Sequence, residues 1–238
     1  MKIGRATQVN PRAKTQVMKL GKLKTPVIVV DDAVIQPESL LEAANKAEFK
    51  AQPRDYYPGV RAPVTDKYVQ HICEHFFDSW RDIFGLQQAE RLETVLSAFS
   101  MTTMPANQLK PIQMLPHFDT VEQHQVAVVH YLCDEEHGGT GFYCHKSTSI
   151  ERVIESNLVK YGKTLKQEAV AAELHTNRKY LGLNHSLFES IGSVTSRFNR
   201  LVVYPSNLLH SGLIKPEVDL NNHPSHGRLT TSSFIRFI

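Results

Sequence analysis

Val126-Ala127-Val128-Val129-His130-Tyr131-Leu132-Cys133-Asp134-Glu135-Glu136-His137-Gly138-Gly139-Thr140-Gly141-Phe142-Tyr143 reads as strand, turn and strand. The first seven residues are β-branched and apolar enough for a buried strand, and Gly138-Gly139 leading into Thr-Gly-Phe-Tyr marks a turn that feeds another. Two later segments repeat the pattern. Asn199-Arg200-Leu201-Val202-Val203-Tyr204 is an apolar strand, closed by a Pro205-Ser206-Asn207 turn that places His210 at the start of a new strand. Gly227-Arg228-Leu229-Thr230-Thr231-Ser232-Ser233-Phe234-Ile235-Arg236-Phe237 is a terminal strand rich in threonine and aromatics, with an arginine where it begins.

Upstream, His117-Phe118-Asp119 closes the apolar segment Pro111–Pro116. On an extended strand, side chains two apart share a face, so His117 and Asp119 offer an imidazole nitrogen and a carboxylate oxygen to one ion. A second histidine from a distant strand, His210, would complete the set. Two histidines and one carboxylate with open positions suit non-haem Fe(II) and oxygen chemistry. With 12 histidines, a His-x-Asp arises by chance roughly once in two such chains. Alone, the motif reads equally as a surface hydrogen-bonded pair, and its surroundings supply the specificity.

Taken in order, these elements resemble the double-stranded β-helix core of the iron(II)- and 2-oxoglutarate-dependent dioxygenases, most closely the prolyl-4-hydroxylase-like branch. The resemblance runs from Asn107 to the C-terminus, less a central insertion. It implies His117, Asp119 and His210 as iron ligands and Arg228 as the anchor of the distal carboxylate of 2-oxoglutarate. Tyr131-Leu132 and Gly138-Gly139-Thr140 match the family's strand, turn and strand between the metal motifs, and Tyr131 is a candidate hydroxyl donor to the co-substrate. Pro26–Asp32 and Tyr56–Pro63 look like the N-terminal part of an uncharacterised bacterial group in that superfamily. Arg228 lies farther from His210 than in many relatives, across a loop at Asn221–Gly227, and Arg236 on the same strand face is the alternative anchor.

What the resemblance implies is a mainly β, α+β chain: a jelly roll with N-terminal helices packed on one sheet and a helical insertion. Its reaction would couple dioxygen and 2-oxoglutarate to hydroxylation of a small-molecule or peptidyl substrate, releasing succinate and CO2. Asp119 argues against halogenation, because relatives that install chloride generally lack that carboxylate. Arg61 is a candidate for holding an anionic substrate group. The alternative is a cupin-like, metal-binding β-helix protein without 2-oxoglutarate turnover, acting as a sensor or interaction module.

The formal charge of +3 is uneven: residues 1–24 carry seven Lys or Arg and no acid, and the remaining 20 basic and 24 acidic residues sum to −4. A basic N-terminal arm before a single domain at 25–238 is expected, as a solvated tail or an extra strand, and direct nucleic-acid binding is not. No apolar run is long enough for a transmembrane helix, and no apolar leader opens the chain, so a cytoplasmic protein is expected. Cys73, Cys133 and Cys144 are few and odd in number, which fits reduced thiols. Cys144-His145 lacks the spacing of a zinc site and reads as a buried thiol beside a loop histidine.

Along the chain, a short strand is expected near 26–30 and a helix from Pro37 to about Phe49, with Leu40, Leu41, Ala44 and Ala47 on one face. Tyr56–Pro63 reads as a loop around Pro58-Gly59. A stronger helix spans Asp66 to Phe84, where Tyr68, Val69, Ile72, Phe76, Trp80 and Ile83 recur at helical spacing and Gly85 stops it. Residues 25–93 thus hold a strand and supporting helices, and strands dominate from 94 onward. The charged insertion at about 149–192 favours two helices, one through Ile150–Leu158 and one through Leu165–Leu174. His130 is expected to pack beside Tyr131, and the remaining loop histidines, His137 among them, read as background.

Overall fold

A computed structural model describes residues 8–52 and 56–238, so the first seven residues of the basic arm lie outside the described residues. The chain is mainly β, with two antiparallel sheets. Seven strands form the larger sheet: β1 (Lys14–Leu20), β2 (Thr25–Asp31), β3 (Gly59–Pro63), β4 (Leu92–Thr102), β5 (Gln125–Tyr131), β8 (Arg200–Pro205) and β10 (Leu229–Phe237). Their spatial order is β1-β2-β8-β5-β10-β4-β3. The smaller sheet has the order β7-β6-β9, from β6 (Thr140–His145), β7 (Phe188–Val194) and β9 (His210–Gly212).

Three apolar clusters stack these sheets between helices. Helices α1 (Glu38–Lys46) and α2 (Asp66–Phe84) cover the outer face of the large sheet, where Leu40, Tyr68, Ile72 and Trp80 meet Val126, Val128, Leu201 and Ile235. Its inner face packs Ala127, Tyr131, Val202 and Tyr204 against Phe142 and Val194 of the small sheet. Beyond the small sheet, Tyr143, Phe188 and Leu209 meet Tyr161 of α3 (Glu155–Ala171). Because β5 is covered on both faces, its alternating side chains are all apolar or hydrogen-bonded: Val126, Val128 and His130 face the helices, Ala127 and Tyr131 the small sheet. Full burial of each such aliphatic or aromatic side chain contributes about 1.5–3 kcal/mol.

Helix α2 has the expected limits, and Gly85 ends it in the left-handed conformation at φ 70°. Elsewhere the fold departs from expectation. Helix α1 stops at Lys46, where Ala47 turns extended, and Phe49 packs on the core from outside the helix. Gly59–Pro63 is not loop but edge strand β3, because β4 offers it an antiparallel partner. At Gly59 the two backbones approach so closely that a Cβ would collide with the Met101 carbonyl. Of the two forms expected for the basic segment, Lys14–Leu20 takes the extra strand, β1, paired along its length with β2. The insertion holds one helix, and Leu174 falls in a separate 3-10 turn after Glu173 takes a positive φ of 49°. Its last residues already belong to β7. The cysteines are free thiols, and no helix among the described residues is long and apolar enough to cross a membrane.

His130 packs as expected but is also fully hydrogen-bonded. Asn199 Oδ1 accepts from the Val34 N–H at 3.0 Å while its amide donates to the Val34 carbonyl at 2.9 Å, so the oxygen is identified. His130 Nε2 therefore donates to that oxygen at 3.1 Å, and Nδ1 accepts from the Tyr68 hydroxyl at 2.8 Å. Burial pushes the His130 pKa down to about 4. Between an ordinary pKa near 6.5 and that value, the unfolded chain takes up a proton that the folded chain refuses. Stability contributed by neutral His130 is thus complete above pH 6.5 and lost as pH falls toward 4, by at most about 3 kcal/mol. His130→Gln should lower stability at pH 7 yet flatten its decline between pH 6.5 and 4. Urea melts across that range check this, and an unchanged slope would contradict the assigned protonation.

Candidate metal and co-substrate site

The segment before His117 is not a strand. Pro111–Met114 is a 3-10 turn, and His117 joins β9 through one antiparallel bridge. His117 N–H donates to the His210 carbonyl and His210 N–H to the His117 carbonyl, both at 2.9 Å. Two residues on, Asp119 N–H donates to the Ser206 carbonyl at 2.8 Å. These three backbone bonds replace the strand as the device that aims the side chains together.

Asp119 Oδ1 lies 3.9 Å from His117 Nε2 and 3.8 Å from His210 Nε2. Both separations exceed a hydrogen bond, so the three groups converge without satisfying one another. Among the described residues this is the only trio of such side chains whose ligand atoms gather, all within 4.8 Å. His210 Nδ1 donates to the Leu208 carbonyl at 2.8 Å, which fixes the tautomer and turns the Nε2 lone pair toward Asp119. Burial lowers the His210 pKa to about 4, keeping the ring neutral as a metal requires. Burial raises Asp119 to about 6 against the opposing charges of His117 and Arg61 and a Ser206 hydrogen bond. Its Oδ2 is buried without a hydrogen-bond partner. A buried, unsatisfied carboxylate oxygen beside two imidazole nitrogens is a donor set that fits a divalent metal.

These residues line a cavity of about 1010 Å³ together with Arg228 and Arg61. Arg228 is 5% exposed. Its Nε donates to the Gly138 carbonyl at 2.6 Å and Nη2 to the Gly139 carbonyl at 3.0 Å, and the guanidinium carbon sits 5.6 Å over the Tyr131 ring. Among the described residues, no carboxylate lies within ion-pair distance of it. Tyr131 lies behind the cavity wall, sharing a 2.6 Å hydrogen bond with Thr140, which does line it. Arg236 is elsewhere, in surface pairs with Glu122 at 2.9 Å and Glu93 at 3.6 Å.

Arg61 belongs to β3 rather than to a loop. Register places it opposite Ser100, which pairs with Thr230, which pairs with Tyr131. Arg61 therefore shares the inner face with Arg228, its guanidinium 4.7 Å from the Tyr57 ring. The insertion reaches the cavity through Tyr180, whose hydroxyl donates to the Met104 carbonyl at 2.6 Å. His145 is not in a loop: it ends β6, buried, with Nε2 2.9 Å from Glu168 of α3. Sequence reasoning also missed His137 and Asp219, whose side chains meet at 2.9 Å behind the Gly138 turn. Tyr57 and Thr140 stand in segments that carry the resemblance but were given no role of their own, and Tyr180 carried no signal, since isolated hydroxyl residues are common in strands and loops.

A family of unknown function, DUF6445, matches residues 11–235. The chain belongs to that family. No curated protein matches it. Among solved structures, HygX from Streptomyces hygroscopicus with nickel and 2-oxoglutarate bound is similar at TM-score 0.52 and 13% identity, covering 89% of this chain and 83% of that one. The same protein with nickel, 2-oxoglutarate and hygromycin B bound gives 0.47 and 10%, covering 89% and 82%. An N-substituted L-amino acid dioxygenase from Burkholderia ambifaria, in complex with alpha-KG, gives 0.39 and 12%, covering 94% of each chain. This DUF6445 chain thus shares its fold with HygX.

Burial of the Asp119 carboxylate costs hydration that its charged and hydrogen-bonding neighbours offset only in part. Asp119→Asn should leave the thermal midpoint of the metal-free protein equal or higher while lowering Fe(II) affinity at least about 100-fold, beyond the loss typical of outer-shell changes. Differential scanning fluorimetry with and without Fe(II) checks both, and retained metal binding would remove Asp119 from the site.

Proposed function

We propose that this chain is a non-haem Fe(II)- and 2-oxoglutarate-dependent oxygenase of the prolyl-4-hydroxylase-like branch, with a double-stranded β-helix core. The observation that carries the reading is one cavity lined both by the converging ligand atoms of His117, Asp119 and His210 and by a buried Arg228 that, among the described residues, has no carboxylate in contact. A buried cation with no acid in direct contact keeps donors free for an anionic ligand, and a planar guanidinium suits a carboxylate in two parallel hydrogen bonds. A cupin-like protein without 2-oxoglutarate has no use for it.

His117, Asp119 and His210 hold the metal, Arg228 grips the distal carboxylate of 2-oxoglutarate, and Tyr131 supports the guanidinium from below. Fe(II) and 2-oxoglutarate bound there supply dioxygen activation, with succinate and CO2 released and a substrate C–H bond hydroxylated. Arg61 on the same sheet face meets an anionic group of the substrate, a small molecule or peptidyl residue, and Tyr57 and Tyr180 close its sides. The free thiols suit a cytoplasmic setting.

Anaerobic titration of the Fe(II) protein with 2-oxoglutarate should develop the visible charge-transfer band of the chelate, and its absence at saturating iron would end this reading. Arg228→Ala should weaken co-substrate binding by about 2–5 kcal/mol, on the order of 30-fold to several thousand-fold. A change below about threefold would instead match a surface ion pair.

A further inference from the structure

We infer that Asp219, with His137, is a positioning device for Arg228: it holds the Gly138-Gly139 turn in the one arrangement that presents the guanidinium fork to an anionic ligand. The inference rests on the reading of Arg228 as the co-substrate anchor.

Asp219 ends the short helix α4 (Pro216–Asp219) and is completely buried. Its carboxylate accepts from His137 Nδ1 at 2.9 Å, from the Gly138 N–H at 3.2 Å and from the Lys215 N–H at 2.7 Å. The residue bonded to it, Gly138, is the one whose carbonyl takes Arg228 Nε, and the next carbonyl, of Gly139, takes Nη2. Asp219 also acts from the other end, since its own carbonyl accepts the Arg228 N–H at 3.3 Å. Residue 219 thus meets Arg228 at both ends, its carbonyl at the Arg228 backbone and its carboxylate at the turn that seats the guanidinium.

The turn has no room to relax. A Cβ at Gly138 would collide with the Leu213 carbonyl and with Asp219 Oδ2, and one at Gly139 with the Val194 carbonyl. Ser196 Oγ donates to the His137 carbonyl at 2.7 Å, pinning the turn from below. An acid placed directly on Arg228 would occupy the fork and compete with a ligand carboxylate. Set one peptide away, the acid supplies the counter-charge and fixes the two carbonyls while leaving the remaining N–H donors for the ligand. Outer-shell groups orient metal ligands by the same logic.

The test is anaerobic 2-oxoglutarate titration of the Fe(II) protein, read by the chelate band, for the wild type, Asp219→Asn, His137→Gln, Arg228→Ala and the Asp219→Asn/Arg228→Ala double variant. Asp219→Asn should raise the 2-oxoglutarate dissociation constant at least tenfold with Fe(II) affinity changed less than twofold. The double variant should bind no more than threefold more weakly than Arg228→Ala alone, because Asp219 acts through Arg228. A purely structural role would not produce that non-additivity. His137→Gln should weaken binding at least threefold, and it alone decides if Asp219→Asn does not fold. Wild-type affinity in both Asp219→Asn and His137→Gln, alongside weakened Arg228→Ala, overturns the inference and leaves the co-substrate reading intact. No band in the wild type overturns both.

Discussion

Burying the Arg228 guanidinium costs several kcal/mol of hydration, which a folded chain ordinarily offsets with a carboxylate in contact. Here the offset comes from two carbonyls, of Gly138 and Gly139, and from the face of Tyr131. That choice constrains much else. Carbonyls can be aimed at a guanidinium from a tight turn only if the turn itself is held, so the chain places glycines where Cβ atoms would strike neighbouring backbone. It then puts Asp219 behind the turn, where burial raises the carboxyl pKa and the bonds from His137 and Lys215 with the Arg228 charge outweigh it. The acid stays ionised without touching the base.

The strand that follows Arg228 inherits the consequences. β10 lies between β5 and β4, paired with both, so its backbone is saturated and its side chains alternate between two filled layers. Toward the helices it offers Thr231, Ile235 and Phe237; toward the cavity it offers Thr230, Ser232 and Phe234. Small hydroxyl residues on the inner side leave space that aliphatic ones would fill. The small sheet has three strands against seven, so it does not cover the inner face at β4 and β3, and the cavity extends there to Arg61.

Much of this was legible in the sequence where local and tertiary signals agree. Helix α2 carries a long apolar face and a glycine stop, and β5, β8 and β10 are apolar runs bounded by turn residues. The candidate metal residues were readable as residue types, and the structure brings His117, Asp119 and His210 together. The means of bringing them together was not readable: a single bridge between His117 and His210 is a non-local contact, and Pro111–Met114 does not extend. Strand β3 was hidden for a similar reason, since Pro58-Gly59 signals a turn while its partner β4 lies far along the chain. Asp219 and His137 gave no sign because one sits in a loop-like, polar stretch and the other among several unremarkable histidines. Their pairing spans 82 positions, and no periodicity encodes it.

Two buried polar clusters flank the large sheet, one on each side, and their difference separates scaffold from candidate site. On the outer face, Asn199, His130, Tyr68 and Thr231 form a closed chain in which every side-chain donor finds an acceptor. A connected network of this kind fixes register and helix placement. On the inner face, Asp119 Oδ2 has no partner, Asp119 meets two imidazoles at distances too long to bond, and Arg228 is buried without an acid in contact. The outer cluster joins Asn199 to β5, β10 and α2, whereas the inner one joins β9, the His117–Asp119 segment and Arg228, just before β10. The outer cluster closes on itself, whereas the inner one leaves oxygen and nitrogen acceptors converging at Asp119 and guanidinium donors at Arg228, and that difference is what marks it as the candidate site.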